Sequence, residues 1–215
     1  AVGRKVSLAP GEQAKVAFVV AWCFPNLMGG NNVRGRGPRR GNFYATRFQD
    51  AAAVARYVAE HFNRLADHTR RWRQTWYDST LPCWLLDRLF STTSTLATST
   101  CQRWANGRFW AWEGVGCCHG NCGHVWNYAH GMARLFPQLE RSVREMQDFA
   151  PGIGLNEQTG AIIFRGEDFN LWAGDAQGGY VLKAYREHQC SADGGFLRRV
   201  WPAVKKATQF LIDQD

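Results

Sequence analysis

Apolar residues in the first 24 positions fall on alternate sites. Val6 and Leu8 form one run, and Val16, Phe18, Val20 and Trp22 form another, with Pro10-Gly11 between them. Period-two alternation split by a turn pair predicts two strands. One hairpin cannot close a core alone, so these strands are expected to belong to a larger β domain. Residues 25–45 are rich in Gly, Asn and Arg and predict a loop. The period then changes. Over residues 48–76, Val54, Tyr57, Val58, Phe62, Leu65, Trp72 and Trp76 recur at helical spacing with charge between them, which predicts one long helix.

From residue 82 the pattern stays helical, with Pro82 tolerated in a first turn and Trp84, Leu85, Leu89, Phe90 and Leu96 following. Residues 98–104 and 108–112 predict a short hairpin turning at Asn106-Gly107. A Gly/Cys loop over 114–123 leads to predicted helices at 124–136 and 137–149. A loop with one short strand at 161–164 precedes helices at 177–188 and from 196 onward. No internal repeat is visible.

Composition narrows the classes. Apolar residues at 45% and charged residues at 20% in 215 residues fit a folded globular chain. The longest apolar stretch, at 14–24, is interrupted by Lys15. It falls short of the roughly 18–20 residues a membrane span needs, and no signal peptide is recognisable. The net charge of +8 raises nucleic acid as a partner. Its sources are Arg34, Arg36, Arg39, Arg40 and Arg47 in the Gly-rich loop, and Arg64, Arg70, Arg71 and Arg73 on the long helix. No nucleic-acid motif accompanies them, so no nucleic-acid partner is expected and solvated faces are the simpler reading. Seven cysteines, an odd number without a regular framework, favour a reducing, cytoplasmic compartment. The chain opens without Met and closes on Phe210-Leu211-Ile212 in helical character. It therefore reads as an internal fragment.

The chemistry concentrates in Gly107-Arg-Phe-Trp-Ala-Trp-Glu113-Gly-Val-Gly-Cys-Cys-His-Gly-Asn-Cys-Gly-His124-Val-Trp-Asn-Tyr128. This is a strand ending in a carboxylate, a Gly-rich loop, then a helix start. Trp110 and Trp112 share one strand face. Aromatic walls beside Glu113 suit the apolar face of a sugar ring and a charged, oxocarbenium-like transition state. The competing reading makes Glu113 a structural partner of nearby arginines. Cys117, Cys118, His119, Cys122 and His124 have metal-ligand density, but the second knuckle of a closed site is missing. Packing is the better reading of these cysteines, and no metal is expected.

Several blocks in register resemble glycoside hydrolase family 116, the family of non-lysosomal glucosylceramidase and bacterial β-glucosidases. They are residues 108–128, Leu135-Phe-Pro-Gln-Leu-Glu-Arg-Ser142, Val181-Leu-Lys-Ala-Tyr-Arg-Glu187 and Phe196-Leu-Arg-Arg-Val-Trp-Pro202. Leu8-Ala-Pro-Gly-Glu12, Val19-Val-Ala-Trp22, Tyr44-Ala-Thr-Arg-Phe48 and Leu81-Pro-Cys-Trp84 extend the match. The resemblance implies a mainly α fold, the start of an (α/α)6 toroid preceded by the end of a β-sandwich. Residues 1–46 would be the last strands and loop of the sandwich, 47–80 a linker helix, and 81–215 the first part of the catalytic domain.

The implied activity is retaining β-glucoside hydrolysis without cofactor, on β-glucosides that include lipid-linked or bulky aglycones. Glu113 aligns with the nucleophile. The acid/base Asp would fall beyond residue 215, so the chain alone is expected to be inactive and to need the remainder of its catalytic domain. His124 stands where many members carry a sugar-binding Asp. Asp175 aligns with an Asp just before the Val181 helix, with Asp168 as the other candidate. Trp112 and Trp126 are candidate stacking residues. For each of these four the alternative is structural: capping or packing for His124, a helix N-cap for Asp175, and core packing for the tryptophans. Arg186 and Glu187 read as a helix ion pair. An inverting toroid enzyme and a non-catalytic carbohydrate-binding scaffold are the other functional readings.

Overall fold

A computed structural model describes residues 2–29, 38–114, 117–166 and 169–215. The chain is mainly helical, with eight α-helices and one two-stranded sheet among the described residues. Contacts divide it into two units, residues 1–23 with 48–78, and residues 24–47 with 79–215.

In the first unit, Pro10-Gly11 makes the expected turn, with Glu12 N–H donating to Ala9 O at 3.0 Å and the Glu12 carboxylate accepting from Ala9 N–H at 2.9 Å. The expected ladder does not form: no described residue from 2 to 24 lies in a strand. The alternating side chains have no surface to cover, and Phe18, Val20 and Trp22 are mostly exposed. Alternation specifies a strand only where one face is buried. The long helix forms as two, α1 (Ala51–Glu60) and α2 (Phe62–Tyr77), interrupted at His61. Asp50 caps α1 by accepting from Ala53 N–H at 2.6 Å. Tyr57 packs edge-on against both Phe48 and His61.

The second unit begins with residues 24–47, which include a 3-10 turn at Phe43–Thr46. Arg40 lies over the Trp104 ring at 4.3 Å and Arg103 over Phe43 at 3.6 Å. Helix α3 (Cys83–Ser91) follows Pro82 and leads to strands β1 (Cys101–Arg103) and β2 (Phe109–Ala111). These pair antiparallel, with Gln102 opposite Trp110. The turn sits where Asn106-Gly107 places it. Trp104 N–H bonds Arg108 O at 2.8 Å, leaving three loop residues, the last of them Gly107 at φ 92°. That conformation suits glycine.

The predicted helix at 124–136 is broken into α4 (Gly123–Trp126) and α5 (Gly131–Leu135), because residues 127–130 turn away between them. Helix α6 (Pro137–Val143) has Pro at its first turn and runs on into one π-helical stretch, Arg144–Asp148. Residues 161–164 form no strand; Ile162 makes a single bridge to Leu155. Helices α7 (Gly174–Gln189) and α8 (Gly195–Ile212) pack on each other. Their apolar faces bury Ala176, Tyr180 and Ala184 against Phe196, Val200, Val204 and Ala207. A second core joins Phe109 and Ala111 of β2 to Trp126, Met132 and Val143.

Between α6 and α7 lies a charged core. Glu140, Arg144, Asp148, Lys183 and Glu187 are all buried. Glu140 Oε1 meets Arg144 at 3.1 Å, Lys183 at 3.4 Å and Arg186 at 2.9 Å. Arg144 also faces Asp148 at 2.5 Å, and Arg186 faces Glu187 at 2.6 Å, the ion pair expected from the sequence. The three cations hold Glu140 below the usual carboxylate range against the opposing effect of burial. No helix among the described residues is long and apolar enough to cross a membrane.

Candidate functional site

Strand β2 is a rigid support. Its three residues are buried, and Trp110 stacks on Trp104 with centroids 4.8 Å apart while Trp112 meets Trp110 edge-on at 6.2 Å. Glu113 comes two residues after the strand and is exposed. The chain then turns back on itself. Asn121 clamps the return to β2: its N–H donates to Ala111 O at 2.7 Å, its Oδ1 accepts from Ala111 N–H at 3.0 Å, and its Nδ2 donates to Phe109 O at 2.9 Å. Nδ2 also reaches Gln147 Oε1 at 2.9 Å, tying the loop to the π-helical stretch after α6. Asn121 adopts φ 56°, a left-handed conformation that Asn tolerates better than most residues. Gly120 lies so close to the Trp110 ring that a Cβ there would stand 2.2 Å from it.

The clamped loop brings two thiols onto Glu113. Cys117 Sγ donates to Glu113 Oε1 at 2.6 Å and Cys118 Sγ to the same oxygen at 3.0 Å, and the sulfurs are 3.4 Å apart. Cys118 has φ 33°. The thiol donors, helped by the Arg165 guanidinium, hold Glu113 below the ordinary carboxylate range. The same contact with Glu113, added to partial burial, pushes the Cys118 thiol up to about 12.

The cysteines and histidines of this segment, Cys117, Cys118, His119, Cys122 and His124, go to different places. Cys122 is buried in the α7–α8 core, and His119 packs near Phe169. His124 goes to Asp175, its Nδ1 2.7 Å from Asp175 Oδ2. This bond holds Asp175 below its ordinary value. It becomes reachable because α4 and α7 approach closely. A Cβ on Gly123 would stand 2.4 Å from Ala176 Cβ, and one on Gly179 would stand 2.1 Å from Asn127 Nδ2.

The structure thus brings His124 and Asp175 together. Asp175 also helps line a groove of about 410 Å³ with Asn127, His130, Lys183 and Arg186. Glu113 and Trp112 are not part of that lining. Trp112 is half-buried beside Trp110. Trp126 lies in the core, flanked by Phe109 at 5.6 Å and by the Lys183 ammonium at 5.4 Å. Asp168, Arg34 and Arg36 lie outside the described residues. Sequence reasoning missed the pairing of Cys117 and Cys118 with Glu113. The available signal was their spacing, four and five residues past a carboxylate in a Gly-rich turn.

No family model and no curated protein matches this chain.

Proposed function

We propose that this chain is the nucleophile-bearing part of a retaining β-glucosidase, with residues 1–46 as the end of a β-sandwich, 47–80 as a helical linker and 81–215 as the start of an (α/α)6 toroid. One observation carries the reading. A solvent-facing carboxylate, kept ionised by its neighbours, stands at the end of a strand fixed by stacked tryptophans. An ionised carboxylate is the form that attacks an anomeric carbon. Glu113 would form the glycosyl–enzyme bond as the aglycone oxygen leaves with a proton. Water would later take the sugar, its proton passing to the same acid/base group.

In this reading a second carboxyl stands roughly 5–5.5 Å from the first. At the spacing the resemblance implies, it would fall beyond residue 215. His124 and Asp175 would act as a coupled pair toward sugar hydroxyls, Asp175 fixing which imidazole nitrogen carries its proton. The test uses the chain extended to its natural C-terminus and incubated with an activated 2-deoxy-2-fluoro-β-glucoside. Peptide mass spectrometry is expected to find the adduct on Glu113. Turnover of β-glucosides with no adduct there would reject Glu113 as nucleophile and favour an inverting enzyme.

A further inference from the structure

The loop after β2 gathers donors of a kind that glycoside chemistry does not call for. Two adjacent thiols and one carboxylate converge, with the ligand atoms of Glu113, Cys117 and Cys118 all within 4.8 Å of one another. We propose that Cys117, Cys118 and Glu113 form a binding site for a thiophilic divalent cation of the Zn2+ class, completed by water. The proposal rests on the donor set and not on the glycosidase reading.

Three features carry it. The first is the donors' identity: two sulfurs select a borderline or soft ion over Mg2+ or Ca2+, which prefer all-oxygen shells. The second is spacing. The sulfurs are 3.4 Å apart and stand 2.6 and 3.0 Å from the carboxylate oxygen. Zn–S bonds of about 2.3 Å and Zn–O bonds of about 2.0–2.2 Å require these pairs to open by about 1 Å or less. Exposed or half-buried side chains can do this by small rotations. The third is preorganisation. Asn121 pins the loop to the Ala111 N–H and C=O, the Phe109 C=O and Gln147, so the donors are held together before any ion arrives.

The exchange balances simply. Each thiol hydrogen now donated to Glu113 leaves to solvent as a proton, and the ion takes the sulfur lone pairs and one carboxylate oxygen. Two protons are released per ion bound. Water fills the fourth position, as in open three-ligand sites. The Arg165 guanidinium, which acts on both Glu113 and Cys118, offsets part of the charge of two thiolates and a carboxylate.

The test titrates the full reduced chain with Cd2+, following the ultraviolet thiolate-to-Cd2+ charge-transfer band, and with Zn2+ by calorimetry in two buffers of different ionisation enthalpy. The expected result is one ion per chain, a two-thiolate band and close to two protons released. C117S/C118S should abolish the band, while C83S, at an exposed cysteine elsewhere, should leave it intact. C117S and C118S singly should each halve the band and weaken binding at least about tenfold. They decide the matter if the double variant does not fold. E113Q should weaken binding without altering the band, because the carboxylate contributes none of it. Absence of a band in the reduced chain, or a band that survives C117S/C118S, would overturn the proposal.

Discussion

His124 and Asp175, 51 positions apart in sequence, meet at 2.7 Å where α4 and α7 touch. Both side chains remain partly solvated, at 37% and 52% exposure. Water screening limits such a pair to about 0.5 kcal/mol of stability. Because Asp175 is held below its ordinary value, its contribution is present at neutral pH and disappears as pH falls through that lowered value. Urea unfolding of the chain and of D175N should therefore differ slightly at pH 7 and converge in acid. A difference that persists once the carboxylate is protonated would assign the effect to packing instead.

Glu113 should govern the reactivity of Cys118. A thiol pushed up to about 12 is almost wholly protonated at pH 8, and the thiolate is the nucleophile. Alkylation of Cys118 is expected to be slower than that of exposed Cys83. E113Q removes the negative charge and should speed Cys118 alkylation by roughly tenfold or more, since each pKa unit is a factor of ten in thiolate. Peptide-resolved mass spectrometry reads both rates. An unchanged rate in E113Q would show that burial, not the carboxylate, controls the thiol.

Adjacent glycines in α7 should respond oppositely to alanine. A Cβ at Gly178 meets nothing closer than Leu211 at 3.8 Å, whereas at Gly179 it would stand 2.1 Å from Asn127. G178A should stabilise by about 0.5–1 kcal/mol through helix propensity. G179A should destabilise by about 1–3 kcal/mol through overpacking. Denaturant midpoints measured side by side test the contrast. Equal shifts would mean that α4 and α7 are not in close contact.

Removing Arg144 should be severe. It is fully buried between Glu140 and Asp148, and R144M leaves both carboxylates short of a cation. A loss of about 3–5 kcal/mol is expected, seen as a large drop in denaturant midpoint. Pairing R144M with E140Q and D148N should recover part of it, because the stranded charges go too.

If the glycosidase reading and the cation site both hold, they compete for one oxygen. Zn2+ should protect Glu113 from the 2-deoxy-2-fluoro-β-glucoside in the extended protein, and a chelator should restore labelling. In C117S/C118S the protection should vanish while labelling without metal continues. Protection that persists in that variant would place the inhibitory ion elsewhere.

Local signals were well written in the sequence. Gly107 and Asn106 fixed the hairpin, Pro137 marked the start of α6, and the helical pattern from residue 196 onward forms as α8. The N-terminal alternation misled, because period two states which side chains could share a face and not whether anything covers it. The single helix expected at 124–136 failed at Asn127, whose side chain bonds Ala176 O on α7 at 3.3 Å. A tertiary contact there overrides local preference. The grouping at Glu113 was legible in composition but not in partnership. A left-handed Cys118 and the Asn121 clamp decide which thiols reach the carboxylate, and neither leaves a periodic trace.

The charged seam between α6 and α7 makes their alignment discrete. An apolar contact can slide by fractions of a turn at small cost, since one methyl substitutes for another. Glu140 cannot be shared so loosely. Moving α7 along α6 by one turn, about 5.4 Å, would carry Lys183 and Arg186 out of reach and leave the buried Glu140 with Arg144 as its remaining counter-charge. The two helices therefore have one register, selected by charge as a key is by its teeth, and every residue that α7 presents at its outer end, Asp175 included, inherits its position from that choice.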